Sequence, residues 1–460
     1  MSEGEKSLLG SLYDEISEEH PDPGRVLITA PRPGEAGGAM DRLREDLIEV
    51  LQKSRFSVDQ DLNRGQPYVA EVILGRQSPH TGSPPIHAGY NGWRLSVSEE
   101  PTEVASNPDT FNPICSALTA SIAASEAFRI RFGEELGLAP RAGANQRDIF
   151  SLIDSAQPFP NSLDFGGKVL SWFGSGSVAF AACFALRGVD LSGARFHIVD
   201  NDTVKEKNAR KYLGLSQPDV GKGKAAALGE KIASLGGTSE PYRLSLNAYS
   251  RKMDFRIPFG IVSTDTSVSR RDMQAKLPKV VVNAWTGNDP TMMQAGAYRY
   301  EMARGGACLI CQYWDDVEGH PDMVELANRS KIDPLAYAEA IRENEPLAWE
   351  SVPGNVRGLK FAEGYRAMCD ALQITTGNLR REFAVPFISG IGGALLALVL
   401  VLEGSKLSKT VDPQQGQLRF TLSSESSSLF LDPPTRRADC ICTDSIYAQA
   451  YRQKWGGFSS

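Results

Sequence analysis

At 460 residues, 41% of them hydrophobic and 23% charged, the chain is long enough for two or three domains with cores of their own. A formal net charge of −7 and the lack of a dense Lys/Arg stripe argue against a nucleic-acid partner. The opening MSEGEKSLLGSLYDE lacks the basic-then-apolar order of a signal peptide, so the expected location is cytoplasmic.

Residues 1–24 are polar and end in HPDPG, and read as a flexible arm. An α/β domain is expected over 25–150. RVLITAP is a strand, and MDRLREDLIEVLQKS a helix with Leu43, Leu47, Val50 and Leu51 on one face. PYVAEVILG and GWRLSVS are strands around the loop RQSPHTGSPP, and NPICSALTASIAASEAFRIRFGEEL is a long closing helix. The Pro/Ser/Asn/Gly composition of 151–167 marks a linker.

From 168 to 460 the pattern alternates. KVLSWFG, GARFHIVD, FGIVSTD and KVVVNAW are strands, with helices at SVAFAACFALRGV and GKAAALGEKIASLG, which predicts a mostly parallel sheet of Rossmann-like type. Residues 312–383 are polar and mixed, and read as an insertion. AVPFISGIGGALLALVLVL (384–402) has the length of a membrane span, but its proline and early glycines favour a buried helix. QLRFTLSSE is a strand in the tail.

The first chemical motif is Gly174-Ser175-Gly176-Ser177, between a strand and a helix, where bare backbone and a helix N-terminus suit phosphate. Asp200 ends the next strand, where a carboxylate can grip a ribose hydroxyl. This pair alone fits NAD as well as ATP. The following run, IVDNDTVKEKNARKYLGLSQPDVGKGKAAAL, resembles the signature of the E1-like family (ThiF, MoeB and the ubiquitin activators), and the likeness resumes at Cys308–Cys311 and near 384–402. That resemblance implies a ThiF-type adenylation domain using ATP and Mg2+. Lys224, at a helix start, would meet the α-phosphate, Asn208 with Arg210 or Lys211 the outer phosphates, and Asp265 the metal, with Asp202 as a further candidate. Lys211 matches the family by register and Arg210 by chemistry. Asp265 alternatively caps the next helix. No Walker-type loop is present.

Two cysteine pairs, Cys308/Cys311 and Cys440/Cys442, favour a structural Zn2+ over a redox centre, although the second pair is C-x-C. Cys369 lies where the family puts a thioester acceptor. It also shares a helical face with Phe361, Tyr365 and Leu372, so the residues leave acceptor and core roles open. Cys115 and Cys183 read as packing residues. Residues 25–150 carry neither a G-x-G-x-x-G turn nor a lysine pair. They are read either as a degenerate adenylation half, making an internal pseudo-dimer, or as an unrelated recognition domain.

The resemblance implies a ubiquitin-like protein as substrate and an E2-like protein as partner, with no membrane. The alternatives are sulfur-carrier or small-molecule adenylation and a non-catalytic nucleotide-binding scaffold. The oligomer is open between a homodimer and the internal pseudo-dimer.

Overall fold

The structure is a computed structural model. It describes residues 23–35, 37–106, 111–136, 146–147, 157–287, 293–313, 372–376, 379–383, 385–405, 407, 417–422, 427–432, 435–438 and 440–456. Cys369 and most of the 312–383 insertion lie outside the described residues. The chain forms two compact units, one of Met1–Pro21 with Tyr313–Phe383 and one of Asp22–Gln312 with Ala384–Ser460.

The larger unit begins with β1 (Arg25–Thr29) and α1 (Gly38–Lys53), whose Leu43, Leu47, Val50 and Leu51 are buried as their spacing predicts. β2 (Ser57–Asp59), β3 (Ala70–Leu74), β4 (Pro85–Asn91) and β5 (Arg94–Ser98) follow, then α2 (Glu103–Ser106), α3 (Pro113–Leu136) and β6 (Gln146–Arg147). The sheet order is β2-β1-β3-β4-β5-β6; the first four strands are parallel, and β5 and β6 run antiparallel to their neighbours. β4 opens on a proline, tolerated at a strand's first residue.

The second region contains β7 (Val169–Phe173), α4 (Ser177–Ala185), β8 (Arg195–Val199), α5 (Glu206–Lys211), α6 (Lys224–Ser234), β9 (Thr238–Tyr242) and α7 (Leu246–Lys252). It continues with β10 (Phe259–Val262), α8 (Ser267–Ala275), β11 (Val280–Gly287), β12 (Met293–Tyr300) and α9 (Leu309–Gln312). Within the smaller unit, the described residues form the antiparallel hairpin β13 (Leu372–Thr376) and β14 (Leu379–Phe383). The larger unit resumes with α10 (Pro386–Gly404), β15 (Gln417–Leu422), β16 (Ser427–Asp432) and α11 (Ser445–Trp455).

This second sheet has the order β16-β15-β12-β11-β10-β7-β8-β9. Strands β9, β8, β7, β10 and β11 are parallel, and β12, β15 and β16 run antiparallel to their neighbours. The chain is thus mixed α/β with a Rossmann-like parallel core.

The two sheets repeat one topology. β2-β1-β3-β4-β5-β6 matches β8-β7-β10-β11-β12-β15 in order and in the direction of every pair. α1 follows β1 as α4 follows β7, and α3 follows β5 as α10 follows β12. Across the halves, α3 packs on α10, α3 on α4 and α10 on α1. Exchange of equivalent helices leaves that set of contacts unchanged, as in a two-fold interface. Phe128 and Phe387 meet there, ring centroids 5.2 Å apart. Asp46 of α1, fully buried, accepts from Arg42 (2.7 Å), Arg187 (2.6 Å) and Ser116 (2.7 Å). Burial pushes its carboxyl up, against the pull of the two arginines.

By length and composition α10 could cross a membrane, yet 89% of its apolar window is buried inside the fold. Its glycines are contact points: a Cβ on Gly393 would stand 2.4 Å from the Ala181 Cβ and 2.5 Å from the α4 backbone. The end of the expected linker is also packed. Leu163 and Phe165 are buried, Trp93 donates to the Gln157 carbonyl (2.9 Å), and the Asp164 amide donates to Gly404 (2.7 Å).

Candidate functional site

The carboxyl ends of β10, β7 and β8, adjacent strands, lead into Asp265, residues 174–177 and residues 200–202, while Asn208, Arg210 and Lys211 lie in α5 and Lys224 heads α6. Gly174 turns the chain out of β7 at φ +85°, and a Cβ there would lie 2.9 Å from the Ser263 carbonyl oxygen. The approach is locked from several sides. Ser263 donates its hydroxyl to Gly174 O (2.7 Å), accepts from the Trp172 indole (2.9 Å), and gives its amide to Phe173 O (2.9 Å). Only glycine meets both the angle and the space.

Gly176 is the N-cap of α4, with no side-chain cap and no acidic residue in the first turn, where Ser177 stands. The partial positive charge of that helix start is therefore left for an anion. Its counterpart in the first half differs. Asp41 sits in the first turn of α1, accepts from the Gly34 amide (3.0 Å) and pairs with Arg44 (2.9 Å). The hydroxyls of Ser175 and Thr264, both buried, have no hydrogen-bond partner among the described residues. Orphaned polar atoms of this kind need a reason.

Asp200 braces the turn. Its carboxylate accepts the Ser175 amide (2.6 Å) on one oxygen and the Asp202 amide (2.8 Å) on the other. Each oxygen keeps a second acceptor site. Lys224, the first residue of α6, donates its ammonium to Asp202 (2.9 Å). Burial disfavours the Lys224 charge, but Tyr212, Asp202 and Asp200 outweigh it and hold the pKa up.

Asn208 is buried in α5, and its Oδ1 accepts the Lys205 amide (2.9 Å). This local cap leaves the Nδ2 hydrogens as its spare donors. Arg210 is exposed and pairs with Glu206 one turn earlier, whereas Lys211 is half-buried. Asp265 is exposed in the loop after β10, without a hydrogen-bond partner among the described residues. It does not cap α8: that cap is Thr266, which accepts from the Ser269 amide (3.2 Å).

The four candidate metal ligands come together. The sulfurs of Cys308, Cys311, Cys440 and Cys442 all lie within 4.8 Å of one another. Cys308–Cys440 is 3.4 Å, Cys311–Cys442 3.5 Å and Cys308–Cys311 3.9 Å. A tetrahedral zinc with bonds near 2.3 Å would set its sulfurs about 3.8 Å apart, so the donor set and spacing fit Zn2+, the C-x-C pair included. These four thiols, Cys115 and Cys183 are all free and buried. Beyond the cluster, α11 is pinned to the chain before β11: Tyr451 donates to Lys279 O (2.9 Å) and Trp455 to Leu277 O (2.8 Å).

No protein-family profile matches the chain. A curated protein of Sinorhizobium fredii described as "Uncharacterized protein y4jF" is 25% identical over 423 residues, which cover 85% of this chain and 79% of the relative. Among solved structures, E. coli MccB with ATP shares 14% identity at a TM-score of 0.36, covering 80% of this chain and 98% of that one. The microcin C7 biosynthetic enzyme MccB with N-formylated MccA gives 14% and 0.37, covering 81% and 99%. PaaA gives 15% and 0.30, covering 57% and 72%. Likenesses this loose assign no activity.

Two supports of the site were not picked out from the sequence. Asp219, nearly buried, accepts the Ser216 amide (3.0 Å) and pairs with Lys222 (3.1 Å) and Lys231 (3.3 Å), fixing the turn that leads into Lys224. Its signal was the S-x-x-D spacing of a reciprocal cap. Lys53 and Glu49 reach the site from the other half, and no local pattern announces a contact between residues that distant in the chain.

Proposed function

We propose that the chain is an E1-like activating enzyme, which uses Mg-ATP to adenylate the C-terminal carboxylate of a ubiquitin-like protein. The observation that carries this reading is the tie of Lys224, at the start of α6, to Asp202 beyond β8, with Asp200 bracing the turn at the uncapped start of α4 and Asp265 in the loop after β10, on the other side of β7. A dinucleotide site needs the glycine turn and a ribose carboxylate. It does not need a half-buried lysine at a second helix start with a free carboxylate two strands away.

Nucleotide phosphates would lie at the α4 amides, with the spare acceptor sites of Asp200 toward the ribose and Asn208 with Lys211 toward the outer phosphates. Lys211 is preferred by register, and because it is half-buried where Arg210 is exposed. Asp265 would hold Mg2+, which when bound neutralises phosphate charge. In the reaction a substrate carboxylate oxygen bonds to the α-phosphorus. The bond from that phosphorus to the bridging oxygen breaks, and pyrophosphate departs with the electron pair. Negative charge grows on the phosphoryl oxygens, where the Lys224 ammonium stabilises it.

The reading extends to a second step. The Cys369 thiolate attacks the acyl-adenylate carbonyl and AMP leaves, giving a thioester for an E2-like partner. The first half is then an inactive adenylation half, since Asp41 places a carboxylate in the first turn of α1, where its charge opposes a bound phosphate.

Carrier-dependent exchange of labelled pyrophosphate into ATP tests the first step; it should be lost in Lys224→Ala and Asp265→Ala. Nucleotide binding without exchange on any carrier would favour a scaffold instead. A reductant-sensitive adduct, absent in Cys369→Ala while exchange persists, tests the second.

A further inference from the structure

Glu49 and Lys53 stand one turn apart near the end of α1, in the half without the nucleotide residues. Both reach into the other half. The Lys53 ammonium donates to the carbonyls of Ala209 (2.5 Å) and Leu215 (2.7 Å), and Glu49 accepts the Gly214 amide (2.7 Å). Ala209 lies in the last turn of α5, and Gly214 and Leu215 lie just beyond it. One helix face thus makes three hydrogen bonds to the backbone on which Asn208, Arg210 and Lys211 ride.

We propose that Lys53 and Glu49 are positioning residues that hold segment 206–215 in its phosphate-binding form, so that the first half sets the nucleotide affinity of the second. The inference rests on the reading that this segment meets ATP phosphates. Its physical basis is the short length of α5, six residues, too few to be stable alone in water. The carbonyls at its end have no further turn to bind them, and a cation there also suits the helix dipole. Lys53 gives that end one charge-assisted bond, to Ala209 O, and ties the Leu215 carbonyl beyond it to the same ammonium. Burial pushes the Lys53 pKa down, with Glu49 and Asp219 holding it up, so the lysine is kept at a desolvation cost that packing alone does not require.

Titration calorimetry of the full chain with Mg-ATP tests this, alongside amide hydrogen exchange over 206–215. Lys53→Met should weaken Mg-ATP about tenfold, as expected for a lost charge-assisted bond, and speed exchange in that segment while the melting temperature and zinc content hold. Lys53→Arg should recover most of the affinity. Glu49→Gln should keep more of the affinity than Glu49→Ala, because its amide oxygen still accepts from Gly214 while its charge beside Lys53 is lost. If Lys53→Met fails to fold, the Glu49 pair decides. An unchanged affinity in both Lys53→Met and Glu49→Ala, with Lys224→Ala still weakening ATP, overturns the inference and leaves the adenylation reading intact. A wild-type chain that binds no Mg-ATP overturns both.

Discussion

Lys224 and Asp202 are joined twice: the ammonium donates to the carboxylate at 2.9 Å, and the Lys224 amide donates to the Asp202 carbonyl at 2.9 Å. The lysine side chain is mostly buried (14% exposed) while the aspartate is 63% exposed, so an incoming phosphate can replace the carboxylate without moving the lysine backbone. Lys224→Ala should therefore lower pyrophosphate exchange roughly 100- to 1,000-fold, the scale of losing one transition-state donor. Lys224→Arg should be intermediate, since a planar guanidinium does not replace a point charge. Asp202→Asn keeps the backbone tie and should cost far less than Lys224→Ala. Equal losses in the two would mean that Asp202 contacts metal or nucleotide itself.

Gly393 links packing to the site. Any side chain there must push α4 away, because the nearest atoms include the Ala181 carbonyl carbon and the Ala182 nitrogen at 2.5 Å. Overpacking of this kind costs about 1–3 kcal/mol, and Gly393→Ala should show it as a lower melting temperature. The start of α4 is also where the proposed nucleotide phosphates lie, so Mg-ATP affinity should fall with it. A drop in stability with unchanged affinity would separate the two.

The parallel core of the second region was legible because β7, β8, β10 and β11 are apolar runs bounded by turns. β9 was not: TSEPY is a half-exposed edge strand, without the alternation that marks a buried face. β12, MQAGAYRY, is buried throughout yet reads as mixed: its Arg299 is neutralised by Glu301 just beyond the strand (3.0 Å) and by Glu403 far along the chain (2.7 Å). In the first half, proline and glycine disguised β4. Lys224 and Asp265 were marked in the sequence by the family resemblance. The Lys224–Asp202 tie and the reach of Lys53 depend on tertiary packing, and the topological repeat leaves no matching residues to read.

The four-thiol cluster should hold about one zinc per chain. Cys442→Ser should lose it and loosen the tail. The hydrogen bonds of Tyr451 and Trp455 give α11 a second anchorage, so the expected outcome is partial release, with cleavage appearing in 436–455 under limited proteolysis. Metal analysis and protease mapping check both halves of this. Nucleotide binding should persist, since no thiol of the cluster belongs to the nucleotide residues.

Asp219 gives a pH signature. Burial raises its pKa, but the Ser216 amide, Lys222 and Lys231 more than offset this and bring it down to about 2. The folded value lies below the unfolded one of 3.8, so the stabilisation is fully present above about pH 4 and is lost as pH falls toward 2. Asp219→Asn should flatten that part of the stability–pH curve and, by loosening 216–222, shift Lys224. Acid titrations followed by circular dichroism, wild type against Asp219→Asn, check the sign.

The two-fold pattern of helix contacts predicts the oligomeric state. In a two-fold dimer each copy of the α10 type must find its partner on a second chain; here α3 occupies that position in the same chain, and α4 and α1 take their equivalent contacts. The surface that would drive self-association is thereby consumed, with Asp46 sealed between Arg42 and Arg187 inside it. Light scattering on the eluting protein should give the mass of one chain. Asp46→Ala removes the buried carboxylate that Arg42 and the partly exposed Arg187 share and should destabilise the chain by up to about 3 kcal/mol, the lower end of the cost of breaking a buried pair. Arg42→Met with Asp46→Leu and Arg187→Met removes all three charges together and should recover much of that loss. A stable dimer of the wild-type chain, unchanged by these substitutions, would mean that a different face carries the association.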